Sequence, residues 1–354
     1  MRALLVIAIC VAGGGCGGGG GGATACFSDA KRVTTGWAPA ERLFRSDRFW
    51  MGGDVATSID LGGGRVLWLF GDSFISPSGA GSRSGAPLAR NSIAIQHGYD
   101  PGTATIDFHV GRDAGGTPQA FFASDSADTW LWPGAGARLS EVLVLFMWRM
   151  RATGDGGGFG FVNDAPVALL IDNPDADPDA WQPRTVTVPV NSWGVFLGTG
   201  AAVIEGGYLH LLSCIEPGNH DIYLARWPVG RVVSGQLDDP EWLVGGGTWT
   251  AQSALASPPP RLFAGGHTEV SVVFDAETQQ YVELQATGFP GDVMMRTARA
   301  LIGPWSEPRA VYHPPELDCA GVFTYAAKAH PELSSPDLAH RVAVSYSASG
   351  NSGG

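Results

Sequence analysis

Two runs of β-forming residues around a tight glycine turn constrain the fold of this chain more than any other feature. Residues 55–61 precede Gly62-Gly63-Gly64, and the apolar run 65–70 follows. A short turn between two such runs predicts a β-hairpin. Asp54 stands at the start of the first predicted strand and Asp72 at the end of the second. Because paired antiparallel strands bring those ends together, the hairpin predicts two carboxylates on one rim of a sheet.

The composition favours an all-β chain with many short strands. The 354 residues include 51 glycines, 24 prolines and 12 tryptophans, and only 16% of residues are charged. No long helical period is present, so a helical bundle is excluded. The formal net charge of −12 excludes nucleic acid and anionic membranes as ligands, because phosphate binding needs a basic face. Neutral polymers such as carbohydrate remain possible.

The first 30 residues predict export. Arg2 precedes the apolar run 3–12, which is too short to span a bilayer, and small residues then lead to Cys16. Residues 1–16 resemble a bacterial lipoprotein signal with Cys16 as the lipidated residue, and residues 17–30 predict a glycine-rich tether. Gly13 departs from the aliphatic residue usual at that position, so plain secretion stays the alternative. We expect location in the periplasm or on the outer surface, with membrane attachment only through this lipid anchor.

The sequence predicts no cofactor and no metal site. Cys26, Cys214 and Cys319 allow at most one disulfide, and their spacing matches no zinc pattern. The aspartate-rich run 172–179 contains two prolines and lacks a bidentate glutamate at the EF-hand spacing, so we interpret it as a solvated loop. Phosphate loops, dinucleotide fingerprints and Gly-x-Ser-x-Gly elbows are missing from the sequence.

The strand candidates recur in five groups. The group leaders are spaced by roughly 60 to 80 residues, which is compatible with four strands and long loops per unit. Five such units predict a five-bladed β-propeller over residues 31–346, followed by a disordered tail, 347–354; a two-sheet sandwich is the alternative. The last unit is short. Residues 31–49 could supply strands that complete the last blade, or the last blade could be truncated. We expect a truncated last blade. The five groups span residues 55–110, 129–171, 194–226, 270–298 and 323–346.

An ordered set of short motifs resembles exported five-bladed propeller domains of unknown function, a group that includes endo-D-arabinanases. More distantly, the set is similar to furanosidase-type glycoside hydrolases. This resemblance implies an exported glycoside hydrolase, active as a monomer on a furanose-containing or related polysaccharide. The alternative is a propeller module that binds glycans or surface partners without turnover. The motifs are Gly53-Asp54, Leu67-Trp68-Leu69-Phe70-Gly71-Asp72-Ser73-Phe74, Arg90-Asn91-Ser92, Thr268-Glu269-Val270-Ser271 and Tyr325-Ala326-Ala327-Lys328-Ala329-His330.

The resemblance implies that Asp54 and Glu269 are the catalytic residues. Glycoside cleavage needs a carboxylic acid to protonate the leaving oxygen and a second carboxylate as base or nucleophile. We assign the base or nucleophile to Asp54 and the acid to Glu269. The structural alternatives are a turn aspartate and a solvated strand glutamate. A middle carboxylate, common in furanosidase propellers, has no clear counterpart here.

Seven further residues are candidates for substrate binding. His267 precedes Glu269 by two residues, so on a strand the two side chains share a face and the imidazole can tune the acid. Five of the other six also have a structural alternative: a turn residue for Asp72, loop anchors for Arg90 and Asn91, aromatic packing for Trp132, and a hydrogen-bonded core residue for His330. In the functional reading, Asp72 orients Arg90 or a sugar hydroxyl. The candidates are Asp72, Arg90, Asn91, Trp132, His267, Lys328 and His330.

Overall fold

A computed structural model describes residues 8–10, 37–79, 86–154, 160–287, 291–338 and 341–350. The predicted tether, Cys16 and Cys26 lie outside these residues. Strands predominate in the described part of the chain, which confirms the all-β class. Elements up to residue 122 are β1 (Ala8–Cys10), α1 (Ala38–Phe44), β2 (Trp50–Gly53), β3 (Thr57–Gly62), β4 (Arg65–Phe70), β5 (Ser73–Ile75), β6 (Leu88–Ala89), β7 (Ser92–His97), β8 (Thr105–His109), β9 (Gly111–Arg112) and β10 (Pro118–Gln119).

Longer strands follow in the next part of the chain. They are β11 (Thr129–Leu139), β12 (Val142–Ala152), β13 (Phe161–Ile171), β14 (Arg184–Thr187), β15 (Val195–Glu205), β16 (Tyr208–Ile215), β17 (Ile222–Pro228), α2 (Val229–Val233), β18 (Glu241–Gly245), β19 (Thr248–Ala251), β20 (Ser271–Asp275), β21 (Gln280–Ala286), β22 (Val293–Ala298), β23 (Arg309–Tyr312), β24 (Val322–His330) and β25 (Ala343–Gly350). Four 3-10 turns cover Pro178–Ala180, Gln252–Ala254, Pro315–Asp318 and Pro336–Leu338.

The described strands form seven sheets, most of them between neighbours in sequence. Four larger sheets have the orders β3-β4-β7-β8, β11-β12-β13-β14, β15-β16-β17-β18-β19 and β20-β21-β22-β23. Two smaller sheets are β2-β5-β6 and β9-β10, and β24 pairs with β25, which also carries β1 on its other edge. Short connections between antiparallel neighbours explain this order, since a hairpin needs only a few residues to reverse the chain.

The chain divides into two compact units. The first unit contains Met1–Phe122, Leu284–Met295 and Pro308–Gly354, and the second contains Ala123–Glu283 and Arg296–Glu307. Aromatic rings fill the core of each unit: Trp68 and Phe70 are fully buried in the first, Trp227 and Trp242 in the second. Burying one such side chain stabilises the fold by about 2 kcal/mol relative to leaving it exposed.

The hairpin predicted from the glycine turn is present. Gly62 pairs with Arg65, and Ser58 lies opposite Trp68 in the antiparallel register of β3 and β4. The three turn glycines have φ values of +76°, +62° and +79°, a left-handed conformation that disfavours residues with a Cβ. The predicted first strand began two residues too early, however. Val55 and Ala56 also have positive φ, so β3 begins at Thr57.

The C-terminal end of the last strand also differs from the prediction. The predicted tail begins at Ser347, but β25 continues through Gly350, because Ser347 and Ala348 are buried and the strand pairs with β24. Ala8–Cys10, within the predicted signal, pairs in parallel with β25. No helix in the described ranges is long and apolar enough to cross a membrane. Cys319 is disulfide-bonded and Cys214 is a buried free thiol.

Candidate functional site

Asp54 lies in a strained turn between β2 and β3, which belong to different sheets. Tyr325 Oη donates a hydrogen bond to Asp54 Oδ2 at 2.9 Å, and the Asp54 carbonyl accepts the Gly71 N–H at 3.0 Å. Val55 and Ala56 have φ values of 69° and 51°, which is rare for residues with a Cβ and especially for β-branched valine. Such strain costs about 1–3 kcal/mol per residue and persists only where the surroundings enforce it. The fold therefore holds Asp54 in one direction.

Asp54 and Asp72, the two carboxylates predicted to share one rim of a sheet, lie near each other in the first unit. Gly71, which is hydrogen-bonded to Asp54, immediately precedes Asp72. Asp72 Oδ2 accepts from Arg90 Nη1 at 3.0 Å, and the Arg90 side chain is 40% exposed. Asp72 therefore orients Arg90, one of the roles predicted for it, and the guanidinium remains accessible to solvent.

Asn91, predicted to bind substrate, anchors a loop instead. Its Nδ2 donates to the Phe122 carbonyl at 2.9 Å, and its Oδ1 accepts the Phe122 N–H at 2.8 Å. The residue is 1% exposed. Because both ends of the amide bind one backbone unit inside the core, the structural alternative describes this residue.

His330 is a core residue and not a surface contact. Its Nδ1 lies 2.6 Å from Ser58 Oγ and its Nε2 lies 2.8 Å from Ser345 Oγ. The ring is fully buried, and burial lowers the pKa of His330 to about 3, with the charge of buried Lys328 adding to the effect. The buried ring with its two serine partners fits the structural alternative, a hydrogen-bonded core residue. Lys328 is 3% exposed and is equally remote from solvent.

Glu269 lies in the second unit, in a turn before β20 and not on the predicted strand. Thr268 Oγ1 donates to Glu269 Oε2 at 3.0 Å, and His267 Nδ1 lies 3.2 Å from the same oxygen. The Glu269 side chain is 20% exposed and the His267 side chain 12% exposed. The predicted contact between His267 and Glu269 is present, although a turn and not a strand face creates it.

Two residues that the sequence did not identify complete this cluster. The His220 ring stacks on His267 with a centroid separation of 5.2 Å and an interplanar angle of 29°. On its other side, His220 Nε2 lies 2.9 Å from Glu216 Oε2. Two imidazoles thus stand between two half-buried glutamates; we name Glu216, His220, His267 and Glu269 the Glu–His cluster. The spacing of Glu216 and His220 in a polar turn was the sequence signal available for them.

Electrostatics inside the Glu–His cluster favour a bound proton. Burial raises the pKa of Glu216 above its ordinary value, the negative charge of Glu269 acts in the same direction, and His220 opposes both. The underlying Cys214 thiol is fully buried and accepts a contact from Thr199 Oγ1 at 3.6 Å. Burial raises the pKa of Cys214, so this thiol stays neutral and does not act as a nucleophile.

The chain segment that carries His267 and Glu269 is bonded to the segment that carries His220. Ile222 N–H donates to the Phe263 carbonyl at 3.0 Å, and Gly266 N–H donates to the His220 carbonyl at 3.1 Å. A Cβ on Gly266 would overlap the Ile222 side chain, so only glycine permits this approach. His220 itself has a φ of 56°. These bonds explain how residues almost fifty positions apart form one cluster.

Trp132 belongs to an aromatic group in the second unit. Its ring meets Phe161 edge-on at 4.9 Å and Trp130 at 5.9 Å, and all three rings are partly exposed. Trp148 and Phe196 lie buried beside them. The group packs as the structural alternative predicted, and it also presents aromatic surface on which a sugar ring can stack.

The two predicted catalytic residues, Asp54 and Glu269, belong to different compact units.

Solved structures include one neighbour of similar fold and two more distant ones. A protein from Bacteroides ovatus described as a “putative hydrolase” has a TM-score of 0.65 and 17% identity, with 84% of this chain and 80% of that chain covered. The endo-arabinase from Bacteroides thetaiotaomicron has a TM-score of 0.45 and 13% identity, covering 83% and 89%. The α-L-arabinofuranosidase from Podospora anserina has a TM-score of 0.36 and 14% identity, covering 73% and 68%.

The family comparison agrees with the motifs. No curated protein matches this chain. A family model described as a domain of unknown function matches residues 40–352, which is nearly all of the chain that follows the predicted tether. The resemblance to domains of unknown function predicted from the motifs is therefore confirmed, and the chain belongs to the DUF5005 family.

Proposed function

We propose that this chain is a glycoside hydrolase that cleaves a furanose-containing or related polysaccharide. The Glu–His cluster is the observation that carries the proposal. A glycosidase needs a carboxyl group that keeps its proton near neutral pH and lies where substrate can reach it. Burial raises the pKa of Glu216, and its side chain is 19% exposed. These are the properties of a general acid.

Burial and the negative charge of Glu269 both favour the protonated form of Glu216, the form that a general acid needs. His220 and His267 hold the two carboxylates in place from within the cluster. We therefore assign the general acid to Glu216 and Glu269 acting together, which keeps the acid role predicted for Glu269.

Asp54 is the candidate base or nucleophile in this proposal. Its carboxylate accepts a hydrogen bond from Tyr325, which stabilises the charged form that a base or nucleophile needs. The strained turn that follows it fixes its direction. Asp54 is tested in the same assay as the Glu–His cluster, as an independent carboxylate.

We also propose that the chain is a five-bladed β-propeller. The blades are β3-β4-β7-β8, β11-β12-β13-β14, β15-β16-β17-β18-β19, β20-β21-β22-β23 and the sheet of β24 and β25. The first three of these sheets join their strands in rising chain order by antiparallel pairing, which is typical of propeller blades, and the fourth sheet has the same rising order. An experimental structure that showed two packed sheets would contradict it.

The test is hydrolysis of a panel of arabinans and arabinogalactans, with products separated by chromatography. Variants Glu216→Gln, Glu269→Gln and Asp54→Asn remove one ionisable carboxyl each and retain similar side-chain volume. We expect each to lower kcat by about 100-fold or more, as is usual when a general acid or base is lost. Glu141→Gln is the matched control, because Glu141 is an exposed glutamate of the second unit. Loss in the control as well would point to unfolding.

Leaving-group dependence separates the acid from the base. An aryl glycoside with a nitrophenol leaving group departs without protonation, so loss of the acid affects it less than loss of the base. We expect Glu216→Gln to retain most activity on this substrate and Asp54→Asn to lose it. Equal losses for both variants on both substrates would contradict the assigned roles.

A binding module without turnover is the alternative outcome. The wild type would then cleave no member of the panel, while calorimetry would show glycan binding that the three variants retain. That result would overturn the hydrolase proposal.

We further propose that the protein is exported, either with a lipid anchor at Cys16 or by secretion. Cell fractionation of the wild type and Cys16→Ser tests this proposal, since only the anchored form changes fraction on substitution.

A further inference from the structure

Arg296, a buried arginine on β22, is bonded to the segment that carries half of the Glu–His cluster. The residue is 4% exposed. Its Nη2 donates to the carbonyl of Ala264 and to the carbonyl of Gly265, each at 2.9 Å. Its Cζ also lies 4.8 Å from the centre of the Phe263 ring. One guanidinium therefore binds three consecutive residues that end just before Gly266.

The same segment is fixed from its other side by the chain around His220. Phe263 and Gly266 form backbone hydrogen bonds to Ile222 and His220, at 3.0 and 3.1 Å. Arg296 thus binds the two residues, Ala264 and Gly265, that lie between these bonded positions. With both sides held, His267 has little freedom to leave the His220 ring, and Glu269 follows two residues later.

We propose that Arg296 is a positioning residue for the Glu–His cluster: it sets the place of His267 and Glu269 by binding the carbonyls of Ala264 and Gly265. The effect of this positioning on catalysis rests on the proposed function, whereas the place of His267 and Glu269 is tested without activity. Arg296 touches no reacting atom. It acts through the backbone of the segment 263–269.

The guanidinium is suited to this role and an ammonium group is not. Its planar donors have fixed directions and bind two acceptors with little loss of freedom, whereas lysine presents a mobile point charge. Glu283, the nearby carboxyl on β21, is fully buried with Oε2 at 3.6 Å from Arg296 Nε. The carbonyls and the Phe263 ring therefore provide most of the close contacts that stabilise the buried cation.

The first experiment observes the cluster without using activity. Histidine labelled with ¹³C in the ring gives separate NMR signals for the eight histidines of the chain. His267→Gln and His220→Gln identify the two cluster signals. We expect Arg296→Lys to shift both signals, because His267 moves relative to Glu269 and to the His220 ring stacked on it. Arg231→Lys is the control, because Arg231 also binds a backbone carbonyl, that of Asp238, in the second unit.

Two further variants keep the test decisive. Gly266→Ala displaces the segment from the His220 side, so it should change the same two NMR signals. Phe263→Leu replaces Arg296→Lys in the test if that variant does not fold. It removes the ring beside the guanidinium and leaves both carbonyl bonds, so it should shift the two histidine signals in the same direction by a smaller amount. Unchanged cluster signals in Arg296→Lys, beside changed signals in Gly266→Ala, would overturn the proposal.

Hydrolysis then tests the consequence for catalysis. A displacement of about 1 Å at a catalytic group can cost about 100-fold in rate, so we expect Arg296→Lys to lower kcat 10- to 100-fold with little change in KM. If the wild type shows no hydrolysis, the proposed function fails while the NMR result still decides the positioning role. If NMR signals move and kcat does not, the segment is positioned by Arg296 without effect on catalysis, which refutes the role.

Discussion

Replacement of Glu283 by glutamine tests the electrostatics of the second unit most directly. Glu283 is 0% exposed, and its Oε2 lies 3.6 Å from Arg296 Nε. Burial raises the pKa of Glu283 to about 8 from an ordinary value of 4.5, against the opposing effect of the Arg296 charge. At pH 7 the folded protein therefore holds a proton on Glu283 that the unfolded chain has released.

The sign of the pH dependence follows from this difference. Below pH 4.5 Glu283 is protonated in both the folded and the unfolded state, so its ionisation does not contribute to the free energy of unfolding. Between pH 4.5 and about 8 only the unfolded chain loses its proton, so the free energy of unfolding falls as pH rises. Each pKa unit corresponds to about 1.4 kcal/mol, which gives a total loss of about 5 kcal/mol across this window. Glutamine cannot ionise, so Glu283→Gln lacks this contribution.

Urea unfolding at pH 5, 6, 7 and 8, followed by tryptophan fluorescence and far-UV circular dichroism, measures the effect. We expect the advantage of Glu283→Gln over the wild type to grow by about 1 kcal/mol per pH unit. Glu141→Gln is the control and should show no such trend, because its side chain is exposed. A constant difference between wild type and Glu283→Gln from pH 5 to 8 would refute the reasoning, since the carboxyl would then ionise equally in both states.

Three further predictions concern the first unit. Gly71→Ala should destabilise the protein by about 1–3 kcal/mol in urea unfolding and lower hydrolysis, because a Cβ at Gly71 overlaps Asp54 Oδ1. Arg90→Ala should change stability by less than about 1 kcal/mol, because its pair with Asp72 is exposed to solvent, while glycan affinity measured by calorimetry falls if the guanidinium binds substrate. Burial lowers the pKa of His330 to about 3, so the unfolded chain binds a proton first as pH falls below 6.5. The stability difference between the wild type and His330→Gln in urea unfolding should therefore shift against the wild type from pH 6.5 towards 3, and a difference that stays constant over this range would contradict the reasoning.

The local order of the chain was predictable wherever short turns join consecutive strands. The glycine turn at 62–64 indicates the pairing of β3 with β4, and the apolar run of β4 is buried. Bulged strands are harder to predict. Strand β15 runs from Val195 to Glu205, and its register with β16 shifts between Phe196 and Ala201. A bulge interrupts the alternation of apolar residues, so the pattern looks like two strands.

The candidate site was predictable only in part, because its contacts join distant segments. Asp54 and Glu269 came from motifs and His267 from its spacing to Glu269, which it does contact. No motif contains Glu216 or His220, because they approach Glu269 through the backbone bonds of Ile222 to Phe263 and of Gly266 to His220. No periodicity in the sequence encodes a bridge between residues forty positions apart. The turn that contains Glu216 and His220 has the polar composition of an ordinary surface turn, so the sequence alone does not mark it as part of a site.

Backbone strain gives an independent reason to connect Asp54 with function. Seven non-glycine residues among those described have positive φ. Ser140, Asp239 and Gln279 lie in turns before or between strands, where such conformations are common. The other four are Val55 and Ala56 after Asp54, Ala326 beside its hydrogen-bond partner Tyr325, and His220 of the Glu–His cluster. Strained residues persist where a fold must hold a group in place, and they cluster at active sites. Four of these seven residues therefore lie beside a candidate carboxylate, which favours Asp54 and the Glu–His cluster as functional groups over turn residues.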